Sequence, residues 1–390
     1  MKKILIMTGS MNVGGIEKAL AEMLKIIPYD VYDVDLLLEE PEGIYMSEIP
    51  KEVNMVYNPT IANCLYKSRK KQIMEMLKRK QLAKVIRLLY ESLIFVITKE
   101  RCRYFSWQCS RMEKLTKAYD VAIAYCNPFR FPCHYILKNV TASKKILWNH
   151  TDLLYDKINY SGFKKIYKDV DCFVNVSKAA LESCASIFPG MKDKMVVYYN
   201  VINRDEIIEK SKEFEIDKID SVPILLTVGR ISQEKGQDRI PDIAHILKQK
   251  NIAFKWYVVG GGTTLNKIRL NIKKYNLEEN IILTGNQKNP YPYMKMCDIY
   301  VQTSWQEGFP MVIGEVLTFE KPCVVTNVGG TMEYFKYDSS VEEVKTNSNE
   351  CIAESIAKLI CDKNYYNAVK SNIAELDKRD CPQEFIKLIG

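Results

Sequence analysis

The stretch EGFPMVIGE, Glu307–Glu315, places two carboxylates eight positions apart across a change of backbone type. Gly308, Phe309 and Pro310 read as a loop, and Met311, Val312 and Ile313 begin an apolar helix. Pro310 suits the first turn of that helix, where its missing N–H costs nothing. Glu307 is then expected on the loop and Glu315 one to two turns inside the helix. The N-terminal end of a helix offers free N–H groups and the positive end of its dipole to a phosphate. Two carboxylates beside such an end suit a ligand rich in hydroxyls and phosphate, such as a nucleotide sugar; the plain alternative is two solvated glutamates.

Outward from this stretch, short β-branched runs alternate with helical patterns, the signature of parallel α/β sheets. Strands are expected at Ile4–Thr8, Val31–Leu38, Val53–Tyr57, Val121–Tyr125, Lys145–Trp148, Cys172–Val176 and Val196–Tyr199. A second series is expected at Ile224–Val228, Lys255–Val259, Ile281–Thr284, Ile299–Thr303 and Cys323–Thr326. The charged segment between them lacks a strong apolar period and reads as a linker. The organisation expected is a Rossmann-like domain over 1–203, a linker over 204–222 and a second Rossmann-like domain over 223–390, with a ligand cleft between the two. Residues from about 65 to 118 break the alternation and read as a helical insertion.

A chain of 390 residues, 47% hydrophobic and 27% charged, accommodates two such domains. Its twelve cysteines are scattered without a C-x-x-C pair, which favours reduced thiols in a cytoplasmic protein over a disulfide frame or a zinc site. No signal peptide is read at the N-terminus, and the longest apolar stretch, Leu88–Thr98, is too short for a membrane span. A soluble protein is expected. The net charge of +8 is uneven: Lys67 to Lys117 holds fifteen basic residues against four acidic ones, a local balance of +11, which leaves −3 for the remainder.

Other motifs bear on chemistry. The loop GSMNVGG, Gly9–Gly15, has the glycine spacing of a Walker A loop, but Gly15 and Ile16 stand where Lys and Ser/Thr are required. It does not read G-x-G-x-x-G either, which disfavours a nicotinamide site. Its glycines serve a tight turn or a backbone that closely approaches a substrate. In VGRISQEKG, Val228–Gly236, Arg230 and Lys235 follow a strand, and together they are able to neutralise a leaving diphosphate; the alternative is two solvated charges. Gly260–Gly262 is another place for close approach of backbone to a ligand. His150 ends a strand and is either functional or a packed structural residue, whereas His245 reads as structural. The D-x-D triplets Asp33–Asp35 and Asp169–Asp171 lie at the wrong strand ends for a cleft, so no metal site is expected.

The order of these pieces (a glycine loop after the first strand, WNHTD, VNVSK, VGRISQEKG, a glycine triplet, EGFPMVIGE, TNVGGTMEY) resembles the family-4 retaining glycosyltransferases of the two-domain GT-B fold. The resemblance is strongest from Ile224 to Tyr334. It implies that Arg230 and Lys235 grip the donor diphosphate, that Glu307 binds hydroxyls of the transferred sugar and that Glu315 binds the ribose. It further implies that Gly229, Gly308, Phe309, Pro310 and Met311 line the donor, that His150 lies near the reacting centre, and that Gly14 and Gly15 close on it from the other domain. One departure is Asn200-Val201, where the family usually has Asn-Gly.

The activity so implied is metal-independent, retaining transfer of a hexose, without a cofactor, from a nucleotide sugar (a UDP-sugar) to a lipid-linked saccharide in capsular or other surface polysaccharide biosynthesis. The alternatives are an inactive membrane-surface adaptor and a GT-B-fold epimerase; a nucleic-acid partner is not expected. In the insertion, Ile73, Met74, Met76, Leu77, Leu82, Val85 and Ile86 are interleaved with basic residues, and Phe95, Tyr104, Phe105 and Trp107 follow. This composition points either to a helical hairpin packed on the N-terminal domain or to a peripheral anchor on the anionic inner face of the membrane.

Overall fold

The computed structural model describes residues 1–155, 158–216, 222–335, 342–344, 347–374 and 382–390. The chain divides into two compact units, Met1–Tyr199 with Cys381–Gly390, and Asn200–Asp380.

The first unit is built on a seven-stranded, all-parallel sheet: β1 (Lys2–Thr8), β2 (Tyr32–Leu38), β3 (Asn54–Val56), β4 (Tyr119–Ala124), β5 (Ala142–Asn149), β6 (Cys172–Asn175) and β7 (Met195–Val197), in spatial order β3-β2-β1-β4-β5-β6-β7. Parallel strands covered on both faces need near-continuous apolar runs, and Ile4, Leu5, Ile6 and Met7 of β1 are all fully buried. The second sheet holds six parallel strands: β8 (Ile224–Val228), β9 (Lys255–Val259), β10 (Ile281–Gly285), β11 (Ile299–Gln302), β12 (Cys323–Thr326) and β13 (Glu342–Val344), in order β10-β9-β8-β11-β12-β13. Each order reverses at one place, between β1 and β4 in the first sheet and between β8 and β11 in the second. The loops leaving the carboxyl ends of strands diverge there and leave room for a ligand.

The insertion is helical. After α1 (Gly15–Lys25), the chain forms α2 (Pro59–Leu65), α3 (Arg69–Lys78), α4 (Leu82–Thr98) and α5 (Arg101–Ser110) before entering β4. Two expectations are corrected. The expected linker begins with a helix, Arg204–Lys210, because Asn203 caps it by accepting from the Glu206 N–H and Ile207 is buried in the second core; residues 217–221 of that segment lie outside the described residues. The C-terminal domain does not run to residue 390. Phe385, on the terminal helix Pro382–Ile389, is buried against Tyr198 of the first unit, and Lys144 Nζ donates to the Leu388 carbonyl at 2.7 Å. The four aromatic residues singled out in the insertion are half-buried and pack inward, whereas Tyr66 and Tyr90 are exposed. Phe95 stacks on Tyr104 at 4.6 Å, Phe105 meets Phe131 and His134, and Trp107 lies against Tyr104 and Arg111.

The D-x-D triplets are structural. Lys117 Nζ bonds Asp33 and Asp35 at 3.0–3.1 Å and Tyr119 donates to Asp35 at 2.7 Å, all near the amino end of β2. Asp171 accepts from the Lys145 N–H as the chain enters β6.

Candidate active site

The polar centre of the second unit lies at its strand-order reversal. Glu307 follows β11 and Lys235 follows β8, and Lys235 Nζ clasps both carboxylate oxygens, Oε1 at 2.8 Å and Oε2 at 2.6 Å. Ser304 Oγ donates to Oε1 at 2.7 Å, and Gln302 Nε2, at the end of β11, donates to the same oxygen at 3.0 Å. Glu307 is only 6% exposed. A carboxylate so placed needs compensating partners, and it has one cation and two neutral donors. The donors are unequally shared: Oε1 accepts three bonds and Oε2 one, so Oε2 keeps capacity for a further donor.

The two loops are stitched by backbone. Trp305 N–H and Gln306 N–H both donate to the Glu234 carbonyl, and Thr303 Oγ1 donates to that of Lys235. Gly236 adopts φ +64°, and a Cβ there would overlap the Thr303 carbonyl oxygen. Gly329, at φ +54°, sits against the Glu307 carbonyl in the same way. Only glycine lets these chains approach so closely with such dihedrals.

Of the residues singled out in the sequence, Lys235 and Glu307 are brought together. Arg230 lies on the same loop, exposed, and pairs with Glu234 at 2.9 Å. Gly229 ends β8. Pro310 precedes the helix Met311–Leu317, which carries Glu315, buried, as its fifth residue. The Phe309 ring stacks on Tyr334 at 4.1 Å, Met311 is buried, and the Gly308 carbonyl accepts from the Gly330 N–H. The Gly260–Gly262 triplet meets protein: Cβ atoms at Gly260 and Gly262 would strike the carbonyls of Gly229 and Ile231. Those glycines let the loop after β9 pack closely on the loop after β8.

The remaining candidates belong to the first unit. Gly14 caps α1 in extended conformation, and a Cβ at Gly15 would point into open space. His150 follows β5, its backbone N–H donating to Asn127 Oδ1 at 3.2 Å. Its ring lies 4.6 Å from that of Tyr125 and parallel to Trp148, and its Nε2 is buried without a hydrogen-bond partner. Burial pushes this imidazole down to about 3, so it is neutral near neutral pH. Sequence reasoning missed Gln302, Ser304, Gly236 and Gly329. The first two flank the end of β11 within five residues of Glu307, a spacing visible in hindsight. It also missed Glu39, after β2, which accepts from Tyr66 OH at 2.6 Å and whose carboxyl burial raises to about 7.

Residues 209–376 match the family Glycosyl transferases group 1. Among curated proteins, the chain is 28% identical over 229 residues to the Campylobacter jejuni N-acetylgalactosamine-N,N'-diacetylbacillosaminyl-diphospho-undecaprenol 4-alpha-N-acetylgalactosaminyltransferase, covering 57% of this chain and 61% of that one. It is 31% identical over 157 residues to the amylovoran biosynthesis glycosyltransferase AmsD of Erwinia amylovora, covering 39% and 43%. The chain spans from half to two thirds of the length of the first curated relatives it matches, 50%, 61% and 66%. Among solved structures, Anabaena Alr3699/HepE in complex with UDP-glucose superposes with a TM-score of 0.70 at 17% identity over 100% of this chain and 98% of that one. A variant of S. aureus TarM bound to fondaparinux, alpha-GlcNAc-glycerol and UDP gives 0.68 at 14% over 100% of both. The chain has the GT-B fold of these structures, and its residues 209–376 are similar to the group 1 glycosyltransferases.

Proposed function

We propose that the protein is a retaining, metal-independent hexosyltransferase that moves a sugar from a UDP-sugar to a lipid-linked saccharide in surface polysaccharide biosynthesis, working in the cytoplasm against the inner face of the membrane. The observation that carries this reading is the Lys235–Glu307 clasp at the carboxyl ends of β8 and β11, with one carboxylate oxygen short of donors. Glu307 Oε2 is suited to accept from a hydroxyl of the transferred sugar. Lys235, and Arg230 once drawn from Glu234, meet the charge that grows on the departing diphosphate. Glu315 serves the ribose. His150, neutral, suits a hydrogen bond to a hydroxyl and not a cationic role.

In a front-face path the bond from the anomeric carbon to the phosphate oxygen breaks as the acceptor oxygen bonds the same face. The departing phosphate oxygen takes the acceptor's proton, so no protein carboxylate need attack. Support for the donor comes from the UDP and UDP-glucose named with the HepE structures. Support for an α-linked product on a lipid diphosphate comes from the name of the Campylobacter relative. Incubation of the pure protein with a panel of nucleotide sugars, scored for release of the nucleoside diphosphate, tests the reading. Release from one UDP-sugar, undiminished by chelator, is expected. No release from any donor with any lipid-linked saccharide would contradict it.

A further inference from the structure

Helix α4 is turned the unusual way round. Its inner face buries Val85 and Leu88 together with Glu91 and Ser92, and the Glu91 carboxylate is held by Arg87 at 2.6 Å and Arg103 at 3.1 Å. Its outer face carries Leu82, Ile86, Leu89, Leu93, Val96 and Ile97, each 51–68% exposed. At 3.6 residues per turn these six side chains project within about 100° of arc. Helix α3, packed beside it, exposes Met74 and Leu77. A helix that buries one carboxylate and leaves six aliphatic residues outside has a second apolar surface to cover.

The surroundings of the stripe select what covers it. Lys78, Arg79 and Lys80 lie exposed just before α4, and Lys99 and Arg101 just after it. Of the four acids between Lys67 and Lys117, Glu91 is buried, Glu75 is paired with Lys67, and Glu100 and Glu113 are exposed, so the larger excess of cations lies at the amino end of α4. A second copy of the chain would bring the same cations against one another. A protein interface core would favour aromatic residues, Met and Arg, whereas this stripe is Leu, Ile and Val. A straight aliphatic face with cations at both ends matches the boundary between acyl chains and anionic headgroups. We propose that α4 lies in the plane of an anionic bilayer with Leu82–Ile97 sunk below the headgroups and the two basic clusters on them. This rests on the reading of the insertion as a membrane contact and adds that the contact is embedded, not only electrostatic; it is independent of the sugar chemistry.

The test is co-sedimentation of the full chain with phosphatidylcholine vesicles and with an equal mixture of phosphatidylcholine and phosphatidylglycerol. The doubly substituted Ile86→Gln, Leu93→Gln chain is compared with the parent, with melting temperature and mass in solution as controls. The parent is expected to bind the mixed vesicles and to keep part of that binding in high salt, which screens charge but not burial. The variant, with its charge unchanged, is expected to bind at least about tenfold more weakly and to melt as the parent does. Equal binding by parent and variant overturns the embedded face and leaves charge alone. No binding by the parent to either vesicle removes the membrane contact altogether. A parent dimer that the variant converts to monomer assigns the stripe to a second copy and overturns the proposal.

Discussion

The Lys235–Glu307 centre and the helical insertion both concentrate charge, but they treat it in opposite ways. At the centre, a carboxylate is taken from water and surrounded by Lys235, Ser304 and Gln302 on loops that glycines hold together. In the insertion the cations stay in water, one carboxylate is hidden, and one aliphatic stripe of α4 faces out. A buried, compensated charge fixes geometry, which is what chemistry requires. An exposed apolar stripe ringed by cations fixes nothing inside the protein and is available to another phase.

The contrast within α4 can be broken by two adjacent residues. Leu88→Ala, at a position 2% exposed, is expected to cost about 2–5 kcal/mol, measured by denaturant unfolding. A loss under ~1 kcal/mol would mean that the inner face is not the packed one. A second test uses His134, fully buried among Phe105, Phe163 and Tyr167, whose imidazole burial pushes down to about 4. The unfolded chain takes a proton near the ordinary histidine value while the folded one refuses it until about pH 4. Stability is therefore full above the unfolded value and lost as pH falls between the two, by about 1.4 kcal/mol per pH unit and roughly 3 kcal/mol in all. His134→Phe is expected to flatten that part of the melting-versus-pH curve, and an unchanged slope would contradict the assignment.

Gly236→Ala and Gly329→Ala sharpen the other side of the comparison. Each forces a Cβ into a backbone carbonyl at positive φ and is expected to cost about 1–3 kcal/mol while leaving every charge in place. Turnover lost with nucleotide affinity kept would show that loop geometry, not charge alone, makes the centre work. Smallest of all, Leu89→Ala, next to Leu88 but 53% exposed, is expected to shift stability by no more than about 0.5 kcal/mol in the absence of lipid.

Both sheets were legible in the sequence because buried parallel strands need continuous apolar runs, as Ile4–Met7 of β1 and Cys323–Val325 of β12 are. β13 was not, and the helix Arg204–Lys210 was missed although the Asn203–Glu206 spacing is a capping signal. Glu307 and Lys235 stood out as charges at strand ends, 72 positions apart. Ser304 and Gln302 did not, since a hydroxyl and an amide become ligands of a carboxylate only once the loop is folded. In α4 the helix was readable but its orientation was not. With Val85 and Leu88 on one side and Ile86 and Leu89 on the other, periodicity alone does not say which face is covered. The packing of the aromatic residues was not readable either: composition does not say that Phe95 and Tyr104 stack on each other.

The central claim is that Lys235 and Glu307 act as one unit on the donor. A double-mutant cycle in turnover with the correct nucleotide sugar tests it most directly. Lys235→Ala and Glu307→Ala are each expected to lower turnover by at least about 10². The doubly substituted protein should lie within a few-fold of the worse single variant, because groups that work as a unit are not additive. Near-normal turnover in both single variants, or losses that multiply in the double, would contradict the account.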